Sequence, residues 1–199
     1  MMKARRALFV SLATALILTA IAIAIFAPRR APHADVTFGT PVLPSKRAPD
    51  FVLIDGAGRP AHVVDSNYPV TMLFFGYAHC PDACPLALAA LGRAYRSLDT
   101  ARRTHVRIVF VTVDPVRDRP AALRAYVRNF DPHIVALTGS TNELAHVWDA
   151  YGVRIDARTR EIGHGDTIYA IVGNARVAYI YPPDTPAQNL AADLSALTR

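Results

Sequence analysis

Beyond residue 30 the chain has almost no excess of either charge. Lys3, Arg5, Arg6, Arg29 and Arg30 are five of its 22 basic residues, and all 16 acidic residues lie after Arg30. Taking 5 from 22 leaves 17 basic against 16 acidic residues in the body. A near-neutral body offers no electrostatic footprint for nucleic acid, so that class of partner is set aside. Cysteine is scarce too, with only Cys80 and Cys84 in 199 residues. Internal repeats and low-complexity tracts are missing, which leaves one globular domain with an appendage.

Charge of any sign is absent from Ala7 to Ala27, a run made mostly of Ala, Leu and Ile. About 20 apolar residues span a bilayer as a helix. A cleaved signal peptide and a retained signal anchor compete for this run. Signal-peptide apolar cores usually extend only about 7–15 residues and end at a small-x-small site. This run is longer, lacks such a site, and is followed at once by Arg29 and Arg30, so residues 1–27 are expected to be a single transmembrane anchor. The flanking charges lean toward a cytoplasmic N-terminus. The expected location is therefore the inner (cytoplasmic) membrane, with the rest in an oxidising compartment such as a bacterial periplasm. Residues 28–48 hold several prolines and few large apolar side chains, the composition of a tether. The compact domain is expected over 49–199.

Within that domain the apolar pattern alternates between two periods. Residues 51–55 read as a strand closed by a turn at Gly56 and Gly58, and 70–77 as a strand buried on both faces. Helical spacing follows over 83–98, a second buried strand over 106–114, and a helix over 119–130 beside Pro120. A strand over 134–139 leads to Ser140 and Glu143, spaced as a capping box for a helix over 141–151. A hairpin around Gly173 and Asn174 and a last helix over 186–198 complete the chain. Strands alternating with helices predict an α/β fold with a central mixed sheet flanked by helices, in the order of a thioredoxin-like (peroxiredoxin-like) domain.

Cys80 and Cys84 follow the first buried strand and open a helix. Residues four apart share a helix face, so both sulfurs can point the same way. Pro81 suits the first helical turn, and Asp82 is either a helix-capping group or part of the site. The helix N-terminus favours thiolate, which is both a nucleophile and a soft-metal ligand. A structural disulfide is the plainer alternative, but so short a loop removes little entropy from the unfolded chain.

Two thiolates make a poor closed metal site, so a third ligand is expected from among seven histidines. The candidates are His33, His62, His79, His105, His133, His146 and His164; His33 sits in the tether, His105 stands just before a buried strand, and His146 lies in a helical pattern, where a satisfied structural role is the plainer reading. His79 adjoins Cys80 at a strand end, from which its side chain can point away from the sulfurs. His164 stands between two glycines in a loop leading into the hairpin, which in a thioredoxin-like layout approaches the cysteine-bearing helix. Asp114 precedes Pro115 at a strand end, which is common in turns, although it is also placed to tune the site. Arg117 and Asp118 read as a solvated ion pair, and Trp148 as core packing with Leu144 and Tyr151.

The segment "GYAHCPDACP" resembles the Gly-[Phe/Tyr]-x-His-Cys-Pro-Asp-x-Cys-Pro signature of the Sco/SenC family. "VTVDPVRDRP" over 111–120 resembles that family's second block, and "GHGDTIYAI" stands where the family has Asp-His-Ser before a Tyr-containing strand. The resemblance implies copper bound by Cys80, Cys84 and His164. One departure is plain: Gly163 and Gly165 flank the histidine, removing neighbours that would support it. Two thiolates and an imidazole suit Cu(I) and accommodate Cu(II), whereas Zn²⁺ prefers a fourth ligand. The implied function is a metallochaperone, not an enzyme, that delivers copper to the dinuclear copper site of a haem-copper (cytochrome c) oxidase. Its partners would be the subunit carrying that site, with other copper chaperones or thiol reductants as further ones. The competing class is a thiol–disulfide oxidoreductase or redox sensor, in which the cysteines cycle and His164 is only a neighbour. A peroxiredoxin-type peroxidase expects Thr and Pro before its cysteine, and Ala78 and His79 do not fit.

Overall fold

Two runs of apolar residues fix the middle of the fold. The computed structural model describes residues 36–155, 162–163 and 167–199. In chain order the first strands are β1 (Thr40–Arg47), β2 (Val52–Asp55), β3 (Pro60–His62) and β4 (Val70–Gly76). Helices α1 (Ala83–Ser97) and α2 (Thr100–Arg103) lead to β5 (Val106–Thr112). Then come α3 (Pro120–Arg128), β6 (Val135–Thr138), α4 (Thr141–Tyr151) and the short pair β7 (Arg154–Ile155) and β8 (Ile162–Gly163). Strands β9 (Ile168–Val172) and β10 (Arg176–Tyr181) and helix α5 (Ala187–Leu197) finish it.

Every residue of β4 and β5 is buried, as continuous apolar runs require. They pair in parallel, and β5 pairs in parallel with β6. Antiparallel strands extend both sides, giving the order β1-β10-β9-β4-β5-β6-β2-β3. Alternate β4 side chains supply the two cores. Val70, Met72 and Phe74 join residues of α1, α3 and α5, while Leu73 and Phe75 join Leu144, Val147 and Tyr151 of α4. Each such large side chain contributes about 1.5–3 kcal/mol by leaving water. The expected mixed sheet with helices on both faces is present.

Local signals behave as their chemistry dictates. Ser140 and Glu143 form the reciprocal capping box, and Gly152 closes α4 with φ +71°. The β9–β10 hairpin turns at Gly173, whose φ of +54° is left-handed.

The tether boundary at residue 48 needs correction. Residues 40–47 form an edge strand paired with β10, and Ala48 N–H donates to the Ala175 carbonyl at 2.7 Å. Pro41 and Pro44 hide the strand in the sequence, because proline cannot donate to a ladder. At a sheet edge, with the register shifted between Pro41 and Lys46, that loss is tolerated. Just upstream, the Asp193 carboxylate of α5 accepts the backbone N–H groups of Thr37, Phe38 and Gly39 at 2.9–3.0 Å, and the Tyr181 hydroxyl at 3.1 Å. Four donors satisfy this buried carboxylate. They also fasten the chain to the domain from residue 37 onward.

The described residues include no helix long and apolar enough to cross a membrane. The expected anchor, 1–27, lies outside the described residues.

Candidate metal centre

Parallel pairing brings the C-terminal ends of β4 and β5 side by side, with Gly76 opposite Thr112. Two loops leave this edge, residues 77–82 and 113–119, at the end of an α/β sheet where ligands commonly bind. The first carries Cys80 and leads into α1, where Cys84 occupies the first turn.

The loop is folded by its own backbone: Cys80 N–H donates to the Tyr77 carbonyl at 3.2 Å. Cys84 N–H then donates to Cys80 Sγ at 3.4 Å. Asp82 holds the N-cap position, yet its side chain makes no capping bond. The Cys80 sulfur takes one of the orphan donors of the helix instead. The proposed capping role of Asp82 is therefore not realised. Pro81 precedes the helix, and Pro85 is the proline of its first turn, where a missing N–H costs nothing.

The two sulfurs differ in exposure. Cys84 is fully buried, and Cys80 is partly exposed and packed against the same core. Gly76 makes room for this arrangement. A Cβ at Gly76 would stand 2.6 Å from Cys84 Sγ and 2.7 Å from the Phe110 ring. Strand end, ring and sulfur therefore meet at a place that only glycine leaves open. The sequence marks Gly76 only as the first letter of the cysteine motif, and nothing local tells of its steric role.

The second loop braces the first through Asp118. Its carboxylate is 1% exposed, accepts the Thr112 hydroxyl at 2.6 Å and accepts Ala78 N–H at 3.1 Å. Burial pushes this carboxyl above its ordinary range, and the two hydrogen bonds oppose that rise. The expected solvated Arg117–Asp118 pair is corrected: Arg117 pairs with Asp114, and its guanidinium stands 5.9 Å from the Tyr77 ring centroid. Asp114 also heads the turn, its N–H donating to the Thr112 hydroxyl at 2.9 Å and its carbonyl accepting Asp118 N–H at 2.9 Å. Trp148 is more than core packing, because its indole N–H donates to the Thr112 carbonyl at 3.1 Å.

The histidines sort clearly. His62 pairs with Asp50 at 2.6 Å and His133 with Asp131 at 2.9 Å. His146 is exposed on α4, not satisfied inside it. His79 is largely exposed, with Nδ1 4.0 Å from Asp118, so it stands at the mouth of the site. His33 and His164 lie outside the described residues, and the chain is described again from Thr167. Among the described residues no three Cys, His, Asp or Glu side chains gather as a metal cage. Among the described residues the structure thus joins Cys80 with Cys84, and the His164 assignment lies outside them. A cavity of about 660 Å³ opens at the far end of β4, among Arg47, Asp50, His62, Asp65, Tyr68 and Thr71, away from both sulfurs.

Known proteins resemble this chain in sequence and fold. The SCO2 homolog of mouse mitochondria is 38% identical over 136 residues, 68% of this chain and 52% of its own length. The chain thus spans about half the length of the curated relatives it matches first. Among solved structures, apo Sco1 from Thermus thermophilus superposes with a TM-score of 0.72 at 34% identity, covering 82% of this chain and 99% of that one. Copper-bound ScoI from Bradyrhizobium japonicum gives 0.63 at 30% identity, covering 75% and 98%. The SCO1/SenC family model matches residues 41–199 and takes in the edge strand, the cysteine turn and the Asp118 brace. The chain belongs to the SCO1/SenC family.

Proposed function

We propose that the chain is a membrane-anchored copper metallochaperone that carries copper as cargo and hands it to the dinuclear copper site of a haem-copper oxidase. The observation that carries this reading is the cysteine turn, with one sulfur buried against Phe110 and the other partly exposed. A fixed inner thiolate and an accessible outer one hold Cu(I) while leaving a face for an incoming ligand. The copper-bound Bradyrhizobium relative, 30% identical, supports copper over other soft metals. His164 is the proposed third ligand, three residues before Thr167, where the next described stretch begins, and it matters most for Cu(II).

Residues 1–27 are proposed as the single-pass anchor in the inner membrane, with the domain in the periplasm. The full chain should sediment with membranes and resist high-salt extraction. Recovery of a shortened chain from the soluble periplasm contradicts the anchor.

A second reading, thiol–disulfide exchange with a partner's cysteines, is favoured by the same contrast in exposure, which suits an attacking Cys80 and a resolving Cys84. His164→Ala separates the two. As a chaperone, the variant keeps partial Cu(I) affinity, loses Cu(II) and fails to restore oxidase activity in a deletion strain. Its disulfide equilibrium barely moves, because imidazole is not part of that couple. Full oxidase activity without bound Cu(II) contradicts the chaperone reading in favour of thiol exchange. Retained Cu(II) shows that another residue, with His79 first to test, is the third ligand.

A further inference from the structure

Three buried polar atoms have no hydrogen-bond partner among the described residues: the Thr71 hydroxyl, Arg102 Nε and the Tyr126 hydroxyl. Tyr126 packs in the aromatic core, and Arg102 pairs with Asp99 on the surface. Thr71 alone of the three lines the cavity of about 660 Å³ at the N-terminal end of β4. It is 1% exposed and stands beside Ile171, its register partner on β9, which lines the same wall. A buried hydroxyl with nothing to bond weakens the fold, and its retention points to a use. Cavities of this size, with apolar walls and a few polar groups, suit small molecules.

The carboxylates at this cavity are already engaged. Asp50 accepts Val64 N–H at 2.9 Å and pairs with His62 at 2.6 Å, and Asp65 accepts Asn67 N–H at 3.0 Å. Both also bear on the buried Arg107, whose guanidinium donates to the His62 and Val63 carbonyls at 2.8 and 3.1 Å. Burial lowers the hold of Arg107 on its proton, and Asp65, Tyr68 and Asp50 oppose that fall. Arg47 differs. Among the described residues none takes its guanidinium in a hydrogen bond or ion pair. Its register partner on β10 is Arg176, a like charge directly opposite, which turns to the Ser45 hydroxyl and carbonyl instead. The bond from Ala48 N–H to the Ala175 carbonyl at 2.7 Å holds this end of β1 against the cavity wall. Ala175, on that wall, is the one non-glycine among the described residues with a left-handed φ, +53°. Such strain persists only where the surroundings impose it.

We propose that this cavity binds a small organic carboxylate, held by the Arg47 guanidinium and the Thr71 hydroxyl, with its body against Tyr68 and Ile171. The planar fork of arginine matches a carboxylate. A single negative charge suits the site better than a phosphate dianion, because Asp50 and Asp65 repel a second one. The Thr71 hydroxyl donates or accepts, so it pairs with either kind of polar atom that the ligand brings. The site lies at the opposite end of β4 from the cysteines and is independent of the copper reading.

Benzoate is the probe, with benzamide as its uncharged isostere, titrated into the isotope-labelled full chain in dodecyl maltoside and followed by nuclear magnetic resonance. The Arg47 Nε–H signal, identified by its loss in Arg47→Gln, should shift saturably with benzoate, in the millimolar range of a small fragment. Benzamide should leave it in place. In Arg47→Gln, followed through the Ala175 amide, benzoate should bind about tenfold more weakly or not at all. Thr71→Val keeps the shape and removes the hydroxyl, and should weaken benzoate about tenfold. The same change should raise the melting temperature of the ligand-free chain by about 2–4 °C, because an unpaired buried group is gone. Weaker binding with a more stable fold is a combination that a mere packing role does not give. No saturable shift with benzoate, an equal shift with benzamide, or parent-like affinity in either variant overturns the proposal. A Thr71→Val chain that melts below the parent, or does not fold, shows a hydroxyl with a partner and overturns it too.

Discussion

Cys84→Ser and Cys80→Ser should each abolish copper binding, but they should differ in what they do to the fold. An alcohol is a harder and far less acidic ligand than a thiol, so neither variant retains a pair of soft donors. Cys84 is fully buried where β4 ends against Phe110. A hydroxyl there must find a partner or cost about 1–3 kcal/mol, so Cys84→Ser lowers the melting temperature as well. Cys80 is partly exposed, and its sulfur accepts the Cys84 N–H at the start of α1. A serine oxygen suits a helix N-terminus, so Cys80→Ser melts close to the parent. Metal analysis and thermal melts on both variants check this pair of outcomes. Normal copper content in either removes that cysteine from the site.

Gly76→Ala should disable the proposed centre without replacing either cysteine. The added methyl carbon would meet Cys84 Sγ at 2.6 Å and the Phe110 ring at 2.7 Å, both closer than non-bonded atoms approach. The neighbours are a core ring and the first turn of α1, neither the loose end of a flexible chain. Overpacking of this kind costs about 1–3 kcal/mol. The sulfur gives way first, because it sits at a loop-to-helix junction and Phe110 sits in a central strand. Copper affinity should fall at least tenfold, and disulfide formation should slow. Wild-type affinity and exchange rate in this variant contradict the packing account. Phe110→Leu combined with Gly76→Ala should recover part of the loss by vacating the space.

The contrast between Gly76 and the cysteines shows what sequence makes legible. β4 and β5 are readable because burial on both faces demands unbroken apolar runs. The capping box of α4 and the turn at Gly173 are readable because each needs particular residues at fixed offsets. The motif spacing identifies Cys80 and Cys84 for the same reason. Strand β1 is not readable, since Pro41 and Pro44 carry the composition of a linker and only pairing with β10 makes them sheet. β3 is three residues long and β7 and β8 two each, too short for any period to appear. Asp118 looks like a surface charge in "DPVRDRP", and nothing local tells that Thr112 and Ala78 will bury it. The same holds for Tyr126, whose ring packs against Phe110 and Phe130 with no local sign of it in the sequence. His164 lies outside the described residues, so its assignment stands on the resemblance and awaits the variant.

The central claim is that the turn holding Cys80 and Cys84 binds one copper ion for transfer. Anaerobic titration of the reduced full chain with Cu(I), against a competing chromogenic chelator, tests it most directly. The account predicts saturation at one copper per chain, with both thiols protected from alkylation in the loaded form and reactive in the metal-free form. A chain that leaves all copper on the chelator while its thiols stay reactive contradicts it.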